Sequence, residues 1–288
     1  MTADLTNRVL LIGLPATGKT SFLAALWYLV QHRQILTRLR LKEFDGDNGY
    51  LNQIANAWAE YKLVPRTLTD SEKVVSMILK HVQTEKSVTV IFPDLSGESF
   101  SLQWTTRQCT QSYNEFLKVA NGAILFLSPL NYRKPIRIDM ANPLVEIIVR
   151  GKEMQEPVQD TSLPPMPWSP ERVPTQVEVV ELLQFISSSD DFNPPFRLAV
   201  VISAWDQLVN LKRSPSDWLS IEFPLVDQFL ASNKDKFEIA VFGVSAQGAD
   251  YSQIVQLVEM KPSDRIQVTG RNVENPHDLT EPLLWLTT

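Results

Sequence analysis

The sequence predicts a doubly wound α/β fold: a mostly parallel six-stranded sheet with helices on both faces, one antiparallel strand and a proline-rich insertion. Three observations carry this expectation. Apolar runs of strand length alternate with amphipathic runs of helix length, the pattern of α/β layering. The strand-like runs are continuously apolar, as they must be when both sheet faces are covered. The first strand breaks into a glycine-rich loop that leads directly into a helix, in "RVLLIGLPATGKT" (8–20).

Taken in order, "RVLLIG" (8–13) is a buried strand and "KTSFLAALWYLVQH" (19–32) a helix. "VVSMILKHV" (74–82) and "SVTVIFPD" (87–94) are two strand-like runs with only a few polar residues between them. That spacing predicts a hairpin, hence the antiparallel strand. "QWTTRQCTQSYNEFLKVA" (103–120) reads as a helix, with Trp104 and Tyr113 as core candidates. "GAILFLS" (122–128), "FRLAVVIS" (196–203) and "FEIAVFGVS" (237–245) are three more strands. Helical segments over 176–187 and 215–232 precede the last two, and "EPLLWL" near the C-terminus reads as a closing helix.

The expectation is one domain over 1–288 with insertions at about 33–63 and 129–174. The second of these holds nine of the nineteen prolines, including "LPPMPWSP" (163–170). Prolines at that density block regular structure. The segment is either an irregular surface insertion or a docking loop or lid.

Composition narrows the function classes. With 44% hydrophobic and 21% charged residues, the 288-residue chain has the make-up of a globular protein with a sizeable core. A net charge of -6 argues against nucleic acid as a general partner. The single cysteine, Cys109, excludes an internal disulfide framework and suits a reducing cytosol. The start "MTADLTNRVLL" carries no cleavable signal pattern, and the longest apolar stretch, Phe22 to Val30, is too short to cross a bilayer. The expected location is cytoplasmic.

The opening loop fits G-x-x-x-x-G-K-[ST] without a gap. Gly13 allows a sharp turn off the strand, and Gly18 allows backbone N–H groups to approach an anion. The following helix turns its positive end to that anion. Lys19 is placed for the β- and γ-phosphates, and Thr20 offers a hydroxyl to Mg²⁺. Chance would give on the order of 0.01 such matches in a chain of this length. The expected phosphate cradle is Gly13, Leu14, Pro15, Ala16, Thr17, Gly18, Lys19, Thr20 and Ser21.

Three further stretches follow strand ends, where an open α/β sheet binds ligands. "DLSGE" supplies Asp94 as a metal carboxylate and Gly97 as a backbone donor for the γ-phosphate. "VISAWDQL" supplies Asp206, whose carboxylate can accept from both donors of a guanine edge; adenine lacks that pair. "VSAQG" supplies Ser245 and the Ala246 backbone to support a base. The histidines His32, His81 and His277 lack metal-ligand spacing and read as structural or surface residues.

The order "GLPATGKT", "DLSG", "SAWD", "VSAQG" resembles the Ras-like P-loop GTPases of the translation-factor-related class, and within it the bacterial double-GTPase group. The resemblance covers residues 7–248. It implies a GTP- and Mg²⁺-dependent molecular switch with GTP/GDP as ligands. Lys19, Gly97 and a first-switch threonine would act on the γ-phosphate, and Thr20, that threonine and Asp94 would hold the metal. "VPRTLTDSE" (64–72) offers Thr67 or Thr69 for the switch, with Thr67 preferred for its "PRT" turn. Arg66 is either an arginine finger in cis or a solvated loop residue.

The sequence departs from the family pattern at two places. Ser203 and Ala204 stand where an [NT]-K pair is usual, so the lysine stem that would cover the base is missing; Trp205 is its candidate replacement. Glu98 stands where a water-orienting glutamine is usual, which implies slow hydrolysis without a partner. An effector or activator would bind through the 60–72 and 94–103 loops. The competing readings are a P-loop kinase, with Arg133 and Arg137 of "NYRKPIR" on the phosphates, and a nucleotide-binding interaction module without turnover.

Overall fold

The computed structural model describes residues 7–45, 48–63, 74–93, 103–135, 169–189, 191–249 and 260–287. Its centre is one eight-stranded sheet in the order β2-β3-β4-β1-β5-β6-β7-β8. The strands are β1 (Asn7–Ile12), β2 (Leu39–Asp45), β3 (Val74–His81), β4 (Ser87–Pro93), β5 (Gly122–Leu127), β6 (Phe196–Ile202), β7 (Phe237–Ser245) and β8 (Gln267–Gly270). The helices are α1 (Lys19–His32), α2 (Asn48–Ala59), α3 (Gln111–Val119), α4 (Thr175–Ser187), α5 (Pro215–Glu222), α6 (Pro224–Ser232) and α7 (Glu281–Trp285).

The doubly wound, mostly parallel class is as the sequence predicts. β1 pairs in parallel with β4 (Leu10 opposite Ile91) and with β5 (Leu10 opposite Ala123). The parallel run continues through β6 and β7. The predicted hairpin is present: β3 is antiparallel to β4, with Ser76 opposite Ile91.

Side chains alternate across the sheet with the strand period of two. Val9 and Leu11 face a core shared with α1, α2 and α7, where Phe22, Leu26, Trp58 and Leu283 are buried. Leu10 and Ile12 face a second core shared with α3 to α6, where Tyr113, Leu183, Trp218 and Val226 are buried. α1 is apolar from Phe22 to Val30, all nine residues buried, because it lies between the sheet and α2.

The expected count of six strands is corrected to eight among the described residues. The two additions are the outermost strands. β2, "LRLKEFD", belongs to the 33–63 segment; it is half charged, carries a register shift between Leu41 and Glu43, and among the described residues pairs only with β3. Charge and a bulge are ordinary on an edge strand but hide it from a search for apolar runs. β8 is only four residues, antiparallel to β7, so the sheet has two strands opposed to the majority.

Two predicted helices are divided. In 103–120, a turn at 103–106 precedes a fresh helix whose cap is Thr110, its Oγ1 accepting from Tyr113 N at 3.2 Å. In 215–232 the break falls at Phe223, because Pro224 has no N–H to continue the first helix. Most of the proline-rich segment lies outside the described residues. Its neck does not: Arg133 N donates to Thr175 Oγ1 at 2.8 Å, and Thr175 N donates to Arg133 O at 3.0 Å. Among the described residues no helix is long and apolar enough to cross a membrane.

Candidate functional site

β1 ends at Ile12 in the middle of the sheet, and the chain must turn at once to start α1. Gly13 and Gly18 both take positive φ, 148° and 91°. Each is also hemmed in. A Cβ at Gly13 would stand 2.8 Å from the Phe126 carbonyl oxygen, and one at Gly18 would stand 3.0 Å from Ser203 Cβ. The loop between them is closed by Thr17 Oγ1, which donates to Leu14 O at 2.8 Å. Leu14 and Thr17 are buried, and Pro15 and Ala16 are exposed at the tip.

Lys19 folds back into this ring. Its Nζ donates to Gly13 O at 2.6 Å and to Leu14 O at 2.8 Å. Burial pushes its pKa down to about 7. A cation held in place by carbonyls yet short of solvation suits a ring built to receive an anion. Thr20 and Ser21 are half-buried on the first turn of α1, which carries no acidic residue to offset the helix dipole.

The wall facing Asp206 is built from the ends of β5, β6 and β7. Ser203 N and Oγ both donate to Leu127 O, at 2.9 and 3.2 Å, which fixes the end of β6 against β5 beside Gly18. Ala204 takes a left-handed φ of 46° and opens a 3₁₀ turn over Trp205–Leu211. That turn brings Asp206 to Ser245: Ser245 Oγ donates to Asp206 Oδ1 at 2.5 Å, and Gln207 Nε2 donates to Oδ2 at 2.5 Å. Ser245 Oγ in turn accepts from Gly248 N at 3.0 Å.

A cavity of about 290 Å³ links the two halves. It runs from Ala16 and Gly18, over Phe22, to Asp206, Ala246 and Gln247. The sequence-predicted residues Gly18, Ser21, Asp206 and Ala246 all line it. A second cavity of the same size opens on the other flank of the loop, against Trp104, Arg133 and Glu178.

Trp205 does not cover the base. It is 7% exposed and packs in the second core over Gly243, where any Cβ would overlap its ring. Arg133 is held at the neck of the proline-rich segment, donating to Val173 O at 2.8 Å and pairing with Glu178 at 2.6 Å. Arg66, Thr67, Thr69, Asp94, Gly97, Glu98 and Arg137 lie outside the described residues.

None of the three histidines lines either cavity. Among the described residues no group of three or more His, Cys, Asp or Glu is placed to hold a metal. His81 Nδ1 accepts from Gln83 N and Thr84 N, and His32 stacks on Tyr28. Cys109 is half-buried, its thiol pKa pushed up by burial.

Two contributors escaped the sequence reading. Trp58 of α2 donates from Nε1 to Ala246 O at 2.9 Å, and the buried Arg265 lies over the Trp58 ring at 4.6 Å. Sequence offers no signal for either, since each is remote from the motifs. Gln247 is different: it stands inside the quoted "VSAQG" and lines the cavity beside Ala246.

A model of the Double-GTPase 1 family matches residues 10–286. No curated protein matches the chain. Among solved structures, the chain is similar to a nucleolar GTP-binding protein 1 from Plasmodium falciparum, at 13% identity over 89% of this chain and 86% of that one, with a TM-score of 0.35. It is also similar to the GTPase-like domain of S. cerevisiae Ski7 bound to GTP, at 11% identity and a TM-score of 0.43. The Ski7 domain bound to GDP and inorganic phosphate gives 11% identity and a TM-score of 0.41. The match covers 99% of this chain but spans 50% of each Ski7 chain.

Proposed function

The chain belongs to the Double-GTPase 1 family, and we propose that it is a Mg²⁺-dependent molecular switch that binds GTP and hydrolyses it slowly. The observation that carries this reading is the continuous cavity from the phosphate loop to Asp206. It brings an anion cradle and a carboxylate to the wall of one cavity.

Each part has a task. Backbone N–H groups at Gly18 and the start of α1 hold the phosphates. Lys19 leaves Gly13 O and Leu14 O to pair with the β- and γ-phosphates, which restores its full charge. Asp206 accepts from the two guanine donors, and Ser245 keeps the carboxylate turned toward the cavity. Ala246 offers its backbone to the base. Mg²⁺, when bound, neutralises charge on the phosphates; Thr20, Thr67 and Asp94 are the proposed ligands.

Turnover rests on Gly97 and Glu98. Gly97 N–H is the proposed γ-phosphate sensor. The Glu98 carboxylate opposes the γ-phosphate charge where an amide would orient water, so hydrolysis is slow until a partner binds. The 60–72 and 94–103 loops are the proposed partner surface, ordered by GTP and released by hydrolysis. The 1–288 chain acts as one such domain, and its proposed place of action is the cytoplasm.

The test is phosphate release from GTP and from ATP, measured separately, with and without cell extract. Slow release from GTP alone, accelerated by extract and absent with ATP, is the expected result. Rapid ATP turnover would replace the switch with a kinase-like enzyme.

A further inference from the structure

The two edges of the sheet differ. β2, at one edge, is half charged and carries a register shift, and both features discourage a further strand. At the other edge β8 covers β7 only from Phe242 to Ser245. Past Gly270 the chain turns away through Arg271 and Asn272, the latter with a left-handed φ of 60°. The first half of β7, "FEIAV" (237–241), therefore has no strand on its outer side among the described residues.

This half presents backbone groups to the open side. Phe196 stands opposite Phe237 in the parallel pair, and Phe196 N donates to Lys236 O at 2.8 Å. In a parallel ladder a residue bonds to the two neighbours of its partner, so the even-numbered residues of β7 face β6 and the odd-numbered ones face away. Phe237 N is taken by Asn233 O at 2.9 Å. The outward N–H and C=O of Ile239 and of Val241 have no partner among the described residues. Nothing in the strand deters pairing. It holds no proline or lysine and runs in unbroken register with β6, and its one charge, Glu238, pairs with Arg197 at 3.0 Å.

A cavity of about 390 Å³ lies along this edge, lined by Ile239, Val241, Trp205 and Thr269 and by two arginines, Arg213 and Arg271. Both arginines are exposed. Among the described residues Arg213 pairs with Glu222 alone, at 3.8 Å, and that carboxylate already takes Lys134 at 2.9 Å and the Tyr132 hydroxyl at 2.5 Å. Arg271 makes no ion pair among the described residues. Asp217, on the first turn of α5, is occupied by its own cap, accepting from Ser214 Oγ at 2.7 Å. The cavity is thus basic in a chain of net charge -6.

We propose that this edge is a docking site for an extended, acidic segment of a partner protein, which adds a strand against Ile239 and Val241. In such an addition main-chain bonds supply the affinity and flanking side chains choose the sequence. Arg213 and Arg271 select carboxylates, and like charge rejects a basic segment. The edge cavity shares no lining residue with the cavity that holds Asp206, so the inference stands apart from the guanine reading.

The probe is a fluorescent hexapeptide of alternating valine and glutamate. Its controls are the valine–lysine counterpart and the same acidic peptide N-methylated throughout. Binding to the full chain is read by fluorescence anisotropy, and hydrogen exchange at the Ile239 and Val241 amides by NMR. The acidic peptide should bind about tenfold or more tighter than the lysine peptide and slow exchange at both amides. N-methylation, which removes the backbone donors, should weaken it about tenfold. Arg213→Glu combined with Arg271→Glu should remove the acidic preference at an unchanged melting temperature, since both side chains are exposed. No binding of the acidic peptide at millimolar concentration, a preference that survives the double variant, or unchanged exchange at Ile239 and Val241 overturns the inference. A dimer in sedimentation that the double variant dissolves would give the edge to a second copy of the chain and overturn it as well.

Discussion

The Ser245 hydroxyl donates to the Asp206 carboxylate at 2.5 Å, tying the end of β7 to the turn that follows β6. Neither residue is placed by its own strand alone. Ser245 is the last residue of β7 and wholly buried, while Asp206 hangs on a 3₁₀ turn anchored by Trp205 in the core. The bond holds a carboxylate at the cavity wall in one orientation. Ser245→Ala removes it and also frees Gly248 N. Hydrogen bonds to charged groups contribute about 1.5–3 kcal/mol. GDP affinity in the variant, read by calorimetry, should fall by roughly tenfold or more. An unchanged affinity would mean that Asp206 holds its place without Ser245.

Lys19→Ala should abolish nucleotide binding and leave the nucleotide-free fold intact. The ammonium's bonds to Gly13 O and Leu14 O lie within its own loop, and burial already disfavours its charge. The checks are fluorescent-nucleotide binding and a thermal melt. A large loss of melting temperature without nucleotide would make Lys19 a structural residue.

The same group sets a pH dependence. Without nucleotide, burial holds the Lys19 pKa near 7; beside phosphate it is raised. Below pH 7 the lysine is charged both free and bound, so it contributes no pH dependence. Above pH 7 binding must take up a proton, and affinity falls by up to about tenfold per pH unit until the bound-state pKa is passed. A GDP titration series from pH 7 to 9 checks the slope. A flat profile would place the free lysine near its ordinary value.

Gly243 leaves room for Trp205, and Trp205 carries the Asp206 turn. Gly243→Ala forces a methyl into the indole. Overpacking of this kind costs about 1–3 kcal/mol, readable by urea unfolding. GDP affinity should fall in step, because the turn shifts. A variant of wild-type stability would mean that the Trp205 ring has space to move.

What could be read from the sequence was whatever rests on local pattern. The six central strands declare themselves as apolar runs because both their faces are covered. The phosphate loop declares itself because its glycines are required by φ and by close approach at Phe126 and Ser203. β2 and β8 stayed hidden because one is charged and the other four residues long. Trp205 was ambiguous: its position beside Asp206 suits a base cover, and only the absence of a Cβ on Gly243, in another strand, sends it to the core. Trp58 and Arg265 meet the base loop through tertiary contacts alone, 188 residues separating Trp58 from Ala246.

Glu98 should limit turnover. Unassisted GTPases of this class hydrolyse at about 10⁻⁴ to 10⁻² s⁻¹, and this chain is expected in that range. Glu98→Gln removes the repulsion toward the γ-phosphate and supplies a water-orienting amide, so the single-turnover rate at saturating Mg²⁺ should rise. A fall of about tenfold or more would instead make Glu98 a general base.

The most direct test of the guanine-nucleotide account is competition for the site by GTP and ATP, in the wild type and in Asp206→Asn. A site built to accept the two guanine donors rejects a base lacking them by orders of magnitude. GTP should displace a fluorescent guanine nucleotide from the wild type at least about a hundredfold more effectively than ATP. Asp206→Asn, which turns one acceptor into a donor, should erase most of that gap while Lys19 still holds the phosphates. Equal displacement by ATP and GTP in the wild type, or a gap untouched by Asp206→Asn, would contradict the account.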